Sequence, residues 1–450
     1  MAGAFRDGLA AIGPRGVLRS RLESIAHLLT GSIAVAALMA VSTVVAARAL
    51  GPEAYGVLAL VLTIGRICER LIRFESWQPL IRFGAQTDIE GDPQRMAQLF
   101  LLGLLLDIGC ALLAAAIMLT AGYFLLPVVG LDQSQFYLLA IFAPAIAFNV
   151  RGVPTAALRM AGQFKRLAYF QLFSAALRFL FAGAAYFMGA DIGTFLAIWT
   201  AAQLIDTALF GILAQRALKQ LGVANPLEAG VHGLTARFPG FMGFAWSTNA
   251  SSALRTLTQE ADTLLVGSMA GPTSAGFYHI AKRFAKVAQQ VGQHVQTVIY
   301  PDLSRMWARK RFGEVRSVKF KVQATLGGMG LAMVGGVWLI GEPIVKWAFG
   351  SDFGTVYPLL LTQLFAVVLI MVAAPSRSSM LAMNRPGTVL AIALIATATF
   401  FATAFAAIPA FGAIGANYAH IAFAGLTVIA LEIGFRTAYT PDHDHRTAAS

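Results

Sequence analysis

Stretches of about 20 apolar residues recur along the whole chain, and each is long enough to cross a bilayer as a helix. Only 12% of the 450 residues are charged and the mean hydropathy is +0.68, whereas soluble domains have a charged fraction of about 25%. Transmembrane β-strands are shorter and alternate in polarity, so these stretches predict helices. They number about twelve, with approximate bounds of 25–47, 55–80, 97–126, 135–158, 167–189, 192–214, 241–269, 274–299, 322–341, 355–382, 387–408 and 412–435.

The positions of the basic residues predict how these helices are oriented. If the N-terminus is cytoplasmic, most of the 34 Lys and Arg fall in inner loops and tails, and the outer loops hold only Lys346. This asymmetry follows the positive-inside rule, and it accounts for most of the net charge of +12 without a nucleic-acid partner. We therefore predict a multi-pass membrane protein with both termini in the cytoplasm.

One glycine–proline motif occurs twice, as Gly51-Pro52-x-x-x-Gly56 and as Gly271-Pro272-x-x-x-Gly276. Six predicted helices separate the two copies, which indicates two similar halves that run in the same direction, a parallel repeat of the kind found in some transporters. The predicted domains are a basic cytoplasmic N-terminal segment at 1–24, a six-helix bundle at 25–215, a cytoplasmic linker at 216–240, a second six-helix bundle at 241–435 and a cytoplasmic tail at 436–450.

Basic residues follow both motifs into the membrane at intervals that place them on one face of each helix. A charge inside a bilayer costs about 2.5 kcal/mol or more, so such residues usually face a cavity and mark a substrate path. We predict a cavity that binds an anion, with structural ion pairing and snorkelling to the interface as the alternatives. The predicted substrate-binding residues are Arg66, Arg70, Arg73 and Trp77 in the first stripe, His279, Lys282, Arg283 and Lys286 in or beside the second, and Arg178 and Arg255 at middle depth in other helices.

Carboxylates within the predicted helices are candidates for ion coupling. A carboxylate that titrates could couple transport to protons, and the same site could bind another cation. Glu260 and Asp262 are the most suggestive because they lie close together, and Asp107 and Asp206 complete the set. A structural pair with a nearby arginine is the alternative for each of them.

Sequence signals for an enzyme are weak. The chain has no P-loop, no metal-protease helix and no nucleophile elbow, and its predicted outer loops are too short to hold a catalytic domain. We expect a protein that is not an enzyme, without a metal site or a cofactor. A membrane-embedded polysaccharide polymerase or glycosyltransferase is the alternative from a different class.

Four stretches of the chain resemble one protein family. The run ALGPEAYGVLALVLTI resembles the second-helix entry of bacterial polysaccharide transporters, the oligosaccharide flippases of the multidrug/oligosaccharidyl-lipid/polysaccharide exporter superfamily. The run EADTLLVGSMAGPTSAGFYHIAKR resembles the passage from the seventh to the eighth helix, with Asp262 at the usual acidic position. LRMAGQFKRLAYFQLFSAALRF and FGSDFGTVYPLLLTQLFA resemble the fourth-to-fifth and ninth-to-tenth passages, and the similarity extends from about 25 to 435.

This resemblance implies an all-α polytopic membrane protein with two six-helix bundles around a central cavity. It implies that a polyprenyl-pyrophosphate-linked oligosaccharide is flipped across the bacterial inner membrane by alternating access, for lipopolysaccharide, exopolysaccharide or capsule assembly. The partners would then be membrane lipids, a polysaccharide polymerase and glycosyltransferases. A drug or small-solute antiporter of the same superfamily is the alternative, although a basic interior disfavours cationic drugs. The run RLIRFESWQPLIRFGA departs from the small-residue stretch of many relatives, which indicates an altered substrate contact.

Overall fold

The computed structural model describes residues 14–74 and 76–438, with side chains for all of these except 14–33, 88–90, 250–258, 291–298 and 301. All regular structure in this part of the chain is helical. In chain order the helices are α1 (Pro14–Ile72), α2 (Trp77–Glu90), α3 (Pro93–Leu125), α4 (Phe136–Ala147), α5 (Gly152–Met160), α6 (Phe164–Phe187), α7 (Ile192–Gln220), α8 (Leu234–Arg237), α9 (Phe241–Ala308), α10 (Phe312–Phe349), α11 (Val356–Ala382), α12 (Pro386–Phe411) and α13 (Ala413–Ala438).

Helices α1 and α9 each consist of two membrane passages that join at a motif glycine. The backbone leaves helical geometry at Gly51 (φ 73°, ψ 174°) and at Gly271 (φ 84°, ψ 168°). Positive φ favours glycine because it has no Cβ. The proline that follows suits the first turn of the next passage, where its fixed φ is helical and its missing N–H is not needed. The repeated motif therefore has the same backbone role in both halves.

The number of membrane passages agrees with the sequence. Nine stretches of the described residues are long and apolar enough to cross a membrane. The first, Ala34–Thr87, contains two passages separated at Gly51, and α9, which is not among the nine, adds 241–270 and 272–308. The shorter of these two is roughly 45 Å long at about 1.5 Å per residue, which exceeds the hydrocarbon thickness of about 30 Å.

The predicted fold class is confirmed: the protein is all-α and polytopic, with about twelve transmembrane helices in two six-helix bundles around a central cavity. The first bundle contains α1 to α7, and the second contains α9 to α13. Between them, α7 ends at Gln220 and α9 begins at Phe241. The residue bounds of the domains given above stay a prediction.

The two bundles share a core at the end that holds Gly51 and Gly271, which we call the motif end. A Cβ added to Gly56 would lie 2.1 Å from the Pro272 carbonyl oxygen, and one added to Gly276 would lie 2.8 Å from the Gly56 Cα. The backbones of the two motifs are therefore in contact, as in membrane helix pairs built on small residues. Leu58 and Tyr278 beside this contact are buried and belong to one cluster drawn from both bundles.

At the opposite end, which contains the connection between α7 and α9 and is called the linker end here, the buried residues form two clusters. One cluster contains Leu80 and Phe100 of the first bundle together with Phe238 and Phe241. Another lies in the second bundle and contains Met380. Phe241 is the first residue of α9, so the start of the second bundle packs into the first at the linker end, while the motif end holds a core drawn from both bundles.

Two helices of the first bundle are interrupted, which corrects the sequence prediction. The predicted span 55–80 is not one helix, because α1 ends at Ile72 and α2 begins only at Trp77. The span 135–158 is also divided, since α4 ends at Ala147 and α5 begins at Gly152. The predicted single face from Arg66 to Trp77 is therefore wrong.

Acidic side chains fix the start of two helices outside the membrane passages. The Asp92 carboxylate accepts hydrogen bonds from the backbone N–H groups of Gln94 (2.9 Å) and Arg95 (3.0 Å) at the start of α3. Asp191 accepts from the Thr194 N–H (3.1 Å) at the start of α7, and hydrogen bonds from Thr194 lower the pKa of this carboxyl. Such caps satisfy N–H groups that have no partner within the helix.

Candidate functional site

Arg66 of the first bundle contacts two side chains of the second. Its guanidinium lies 3.2 Å from Nε2 of His279 and 3.5 Å from a carboxylate oxygen of Glu260. The other ring nitrogen of His279, Nδ1, lies 3.0 Å from the Tyr55 hydroxyl. His279 is buried, so this polar contact is held in the interior and links the two halves directly.

Three further cations follow the same helices: Arg70 on α1, and Arg283 and Lys286 on α9. None of the three makes a hydrogen bond or an ion pair with a residue that the structure describes. Arg283 and Lys286 both lie close enough to Arg66 and Glu260 to interact with them electrostatically. We call Arg66, Arg70, Arg283 and Lys286 the inter-bundle cation cluster. Glu260 is the carboxylate that pairs with it, so the cluster retains an excess of positive charge.

Asp262 is fully buried and is bound by four side chains, one of which is the Thr263 hydroxyl at 3.2 Å from Oδ1. Its Oδ1 accepts a hydrogen bond from the Lys282 ammonium (2.6 Å), and its Oδ2 lies 2.8 Å from the Tyr278 hydroxyl and 2.9 Å from Nε2 of His420. Lys282 also donates to the Gln259 carbonyl oxygen. The structure therefore places Lys282 in an ion pair with Asp262. Structural ion pairing is the alternative to substrate binding that the sequence left for this residue.

Glu69 connects the end of α1 to the break between α4 and α5. One of its carboxylate oxygens accepts hydrogen bonds from Arg73 (2.5 Å) and from the Asn149 side-chain amide (2.7 Å). Arg73 and Glu69 are four residues apart, the spacing at which side chains meet on a helix. Asn149 in turn accepts a hydrogen bond from Nε of Arg151 (3.0 Å).

Asp206 on α7 lies at the centre of the same network. Its buried carboxylate pairs with the Arg151 guanidinium and lies 4.0 Å from that of Arg178. Arg178 also donates to Oε1 of Gln203 (2.6 Å). Two arginines thus surround one carboxylate, and this group of the first bundle also has more cations than acids.

Asp107 on α3 stabilises the broken helices. Its two carboxylate oxygens accept hydrogen bonds from the Ser76 hydroxyl (2.5 Å) and from the Val153 backbone N–H (3.0 Å). The second bond satisfies a free N–H in the first turn of α5, where a negative charge is also favoured by the helix dipole. A Cβ on Gly152 would lie 1.7 Å from the Ser76 hydroxyl oxygen, so the start of α5 packs closely against the start of α2.

The predicted substrate-binding residues divide into two groups. Arg66, Arg70, His279, Arg283 and Lys286 follow the passages where the bundles meet. Arg73 and Trp77 lie at the break between α1 and α2, and Arg178 lies on α6, so these three are within the first bundle. The side chain of Arg255 lies outside the described residues. The roles of all these residues, and of Glu260, Asp262, Asp107 and Asp206 in ion coupling, stay predictions.

Sequence reasoning missed several members of both groups. Tyr55 was not selected although it lies within the first motif, and His420 was missed because it is 158 residues from Asp262. Arg159 directly follows the predicted span 135–158, yet its guanidinium carbon lies 4.1 Å from the centre of the Trp77 ring. Arg151 lies in the inner half of the predicted span 135–158 and is, like Arg178 and Arg255, a cation within an apolar stretch.

The described part of the chain holds no group of three or more His, Cys, Asp or Glu side chains that could bind a metal ion. The carboxylates of the site bind protein donors instead. The arrangement is suited to binding an anion, because guanidinium groups bind phosphate and carboxylate oxygens with two parallel hydrogen bonds.

Two known groups of proteins have sequences similar to this chain: a polysaccharide biosynthesis family and an inner membrane protein. The model of a family described as "Polysaccharide biosynthesis protein" matches residues 45–358. The inner membrane protein YghQ of Escherichia coli (strain K12) is 25% identical over 349 residues, which cover 77% of this chain and 97% of that protein.

Two solved structures show the same fold. A multidrug resistance MATE family transporter of the MOP superfamily, in an inward-facing conformation, matches with a TM-score of 0.71 at 12% identity, over 92% of this chain and 96% of the other. The lipid II flippase MurJ, in an inward closed conformation, matches with a TM-score of 0.66 at 13% identity, over 92% of this chain and 88% of the other.

Proposed function

We propose, since this chain belongs to the polysaccharide biosynthesis protein family, that it is a transporter that flips a lipid-linked oligosaccharide across the bacterial inner membrane. It is a multi-pass membrane protein with the fold of MOP superfamily transporters. Lipid II flippase MurJ, which has this fold, is named for a lipid-linked substrate. The exported glycan would enter lipopolysaccharide, exopolysaccharide or capsule.

The inter-bundle cation cluster is the observation that carries this proposal. Arg70, Arg283 and Lys286 have no hydrogen-bonded or ion-paired partner among the described residues, and an unpaired charge in a membrane protein is retained for function rather than for stability. A polyprenyl-linked sugar is attached through a diphosphate. Its oxygens match the paired N–H groups of Arg66 and Arg283.

Substrate binding at the contact between Arg66 and Glu260 would change how the two bundles are held together. A bound diphosphate competes with Glu260 for the Arg66 guanidinium, so it weakens a link between α1 and α9 while adding a new one through its own oxygens. Bundles that share a core at the motif end, with one cluster at the linker end confined to the second bundle, are suited to rocking about the shared core. Substrate would then enter from the linker end, which the positive-inside rule assigns to the cytoplasm together with both termini.

The proposed cellular setting follows from the same family. The similar E. coli protein is named as an inner membrane protein, which supports this location. A glycosyltransferase would supply the lipid-linked oligosaccharide on the cytoplasmic side, and a polysaccharide polymerase would use it on the other. The protein itself would catalyse no covalent step.

A drug antiporter of the same superfamily is the weaker alternative. A site for cationic drugs needs open carboxylates, whereas the described acids in the interior are bound by protein donors: Glu69 by Arg73, Asp107 by Ser76, Asp206 by Arg151, Glu260 by Arg66, Asp262 by Lys282, and Glu432 by Lys319. The structure therefore favours an anionic substrate.

Removing two cations from the cluster tests the proposal in cells. The double variant Arg66→Gln/Arg283→Gln loses two charge-assisted contacts, each worth about 1.5–3 kcal/mol, so we expect glycan export to fall by a factor of about 100 or more. Export is measured as surface glycan in cells that lack the native copy, at matched protein levels in the membrane. The control Arg305→Gln removes an arginine whose side chain is 72% exposed and should leave export unchanged. Normal export by the double variant would contradict the proposal.

A further inference from the structure

We infer that a cavity within the first bundle binds a sugar that carries a carboxylate, adjacent to the diphosphate in the proposed substrate. The cavity has a volume of about 240 Å³ and is lined by residues that include Arg73, Trp77, Arg151 and Arg159. This inference rests on the proposed function for the diphosphate, and it concerns a separate site and a separate part of the ligand.

Three guanidinium groups border this one cavity. Arg73 lies at the end of α1, Arg151 at the break before α5, and Arg159 at the end of α5. Arg159 stacks on the Trp77 ring at 4.1 Å, and Arg151 lies 5.8 Å from the centre of the Phe210 ring. The close contact with Trp77 restricts the guanidinium of Arg159 before a ligand arrives, which reduces the entropy lost on binding. A carboxylate is the sugar substituent that matches such planes.

Two helix breaks meet at the same cavity. The break between α1 and α2 contributes Arg73 and Phe74, and the break between α4 and α5 contributes Arg151 and Gly152. Irregular backbone at membrane depth is tolerated where it is buried in protein or lines a polar cavity. Discontinuous helices also form the substrate sites of several transporters. A role in forming this cavity therefore explains why α1 and α2, and α4 and α5, are separated by breaks.

The second bundle lacks the corresponding breaks in its described residues. After Gly271, α9 continues as helix to Ala308, and α11 runs from Val356 to Ala382 without interruption. The two halves share their motif and the order of their passages, but only the first bundle has these breaks among the described residues. A feature needed only to close the fold would be expected in both halves.

The cavity has the size and position for one sugar next to the diphosphate. Its volume is below the range of about 300–1,000 Å³ that holds drug-sized ligands, which suits a single sugar ring. Arg66 and Arg73 are seven residues apart, so their Cα atoms are separated by about 10 Å along the helix axis. A sugar joined to a diphosphate can span this distance, with phosphate at Arg66 and the ring at Arg73.

Binding measurements with small probes test this inference on the purified full-length protein. Isothermal titration compares glucuronic acid 1-phosphate with glucose 1-phosphate, which differ by a carboxylate, and includes inorganic pyrophosphate as a probe of the inter-bundle cluster. We expect the acidic sugar to bind at least about tenfold more tightly than the neutral one, the effect of one charge-assisted interaction. Arg159→Gln should abolish this preference and leave pyrophosphate affinity unchanged, and Arg159→Lys should retain part of it.

The control is Lys165→Gln, which removes an exposed cation in the first turn of α6 that does not line the cavity. This variant should bind all three probes as the unmodified protein does. Equal affinity for the two sugar phosphates, or a preference that survives in Arg159→Gln, would overturn the inference. Loss of the preference in Arg159→Gln together with normal export by the Arg66/Arg283 variant would support the cavity while removing the proposed diphosphate site. If the preference survives in Arg159→Gln and the Arg66/Arg283 variant loses export, the inference about the cavity is overturned and the proposed diphosphate site is supported.

Discussion

At the scale of single residues, most buried charges that the structure describes have partners, and Arg70, Arg283 and Lys286 have none among the described residues. Asp262 shows the paired arrangement best, because its side chain is completely buried and Lys282, Tyr278 and His420 surround it. A buried carboxylate that loses its cation keeps its desolvation penalty. The pair should therefore matter for stability, in contrast to the open cations of the inter-bundle cluster.

Replacing Lys282 tests this assignment. We expect Lys282→Met to lower the free energy of unfolding by about 3–5 kcal/mol, as for a broken buried pair, and Asp262→Asn/Lys282→Met to recover part of the loss because no charge is then stranded. Thermal unfolding in detergent measures both. Lys346→Met is the matched control, since its pair with Glu342 is 54% exposed on each side and should be worth at most about 1 kcal/mol. A Lys282 variant as stable as this control would contradict the assignment.

Sequence reasoning at this scale succeeded where partners are local and failed where they are distant. Structural ion pairing is an alternative for the arginines of the first stripe, and Arg73 does pair with Glu69, which is four residues away. The partner of Arg66 is Glu260, which lies on the other bundle. Helical spacing gives no information about that contact, since it arises only when the two bundles pack together.

At the scale of helices, the passages and the motif breaks were predictable, and the interruptions in the first bundle were not. Apolar length sets the passages, and glycine followed by proline sets the breaks in α1 and α9. The interruptions around Ser76 and Gly152 depend on Asp107, which is 31 residues from Ser76 and 46 from Val153 along the chain. A carboxylate from α3 thus decides where α5 begins, and apolar patterning does not contain this interaction.

The contact of the two motifs gives a prediction at the same scale. Gly56→Ala places a methyl group where the Pro272 carbonyl oxygen lies 2.1 Å away. Because that neighbour is backbone, the helices must separate. We expect a lower unfolding temperature and a longer, broader distance between spin labels at Glu53→Cys and Ser268→Cys, measured by electron–electron double resonance after removal of the native cysteines.

Gly109→Ala provides the matched control, since a Cβ at this position in α3 would meet nothing within 4 Å. Alanine favours helix over glycine by about 1 kcal/mol, so this variant should be at least as stable as the unmodified protein and keep its label distance. If Gly56→Ala behaves in the same way, the close motif contact is not what joins the bundles.

At the scale of the whole molecule, the family resemblance drawn from the sequence is confirmed by the match over residues 45–358. The two-bundle fold was predictable because repeat, passage count and charge asymmetry all agree. Where the substrate contacts lie was only partly predictable, since the interrupted helices divide the predicted residues between the inter-bundle cluster and the first-bundle cavity. We propose that the diphosphate binds to the cluster and an acidic sugar to the cavity.

Reconstituted transport tests the central claim most directly. The purified protein is placed in liposomes with a fluorescent polyprenyl-diphosphate-linked oligosaccharide that contains a uronic acid. An impermeant reagent that destroys exposed label then measures how fast the inner-leaflet substrate becomes accessible, with and without a proton gradient. We expect the protein to accelerate this exchange over empty liposomes, and Arg66→Gln/Arg283→Gln to return the rate to that of empty liposomes while Arg305→Gln does not. Exchange no faster than in empty liposomes under either condition, or an unchanged rate in the double variant, would contradict the account.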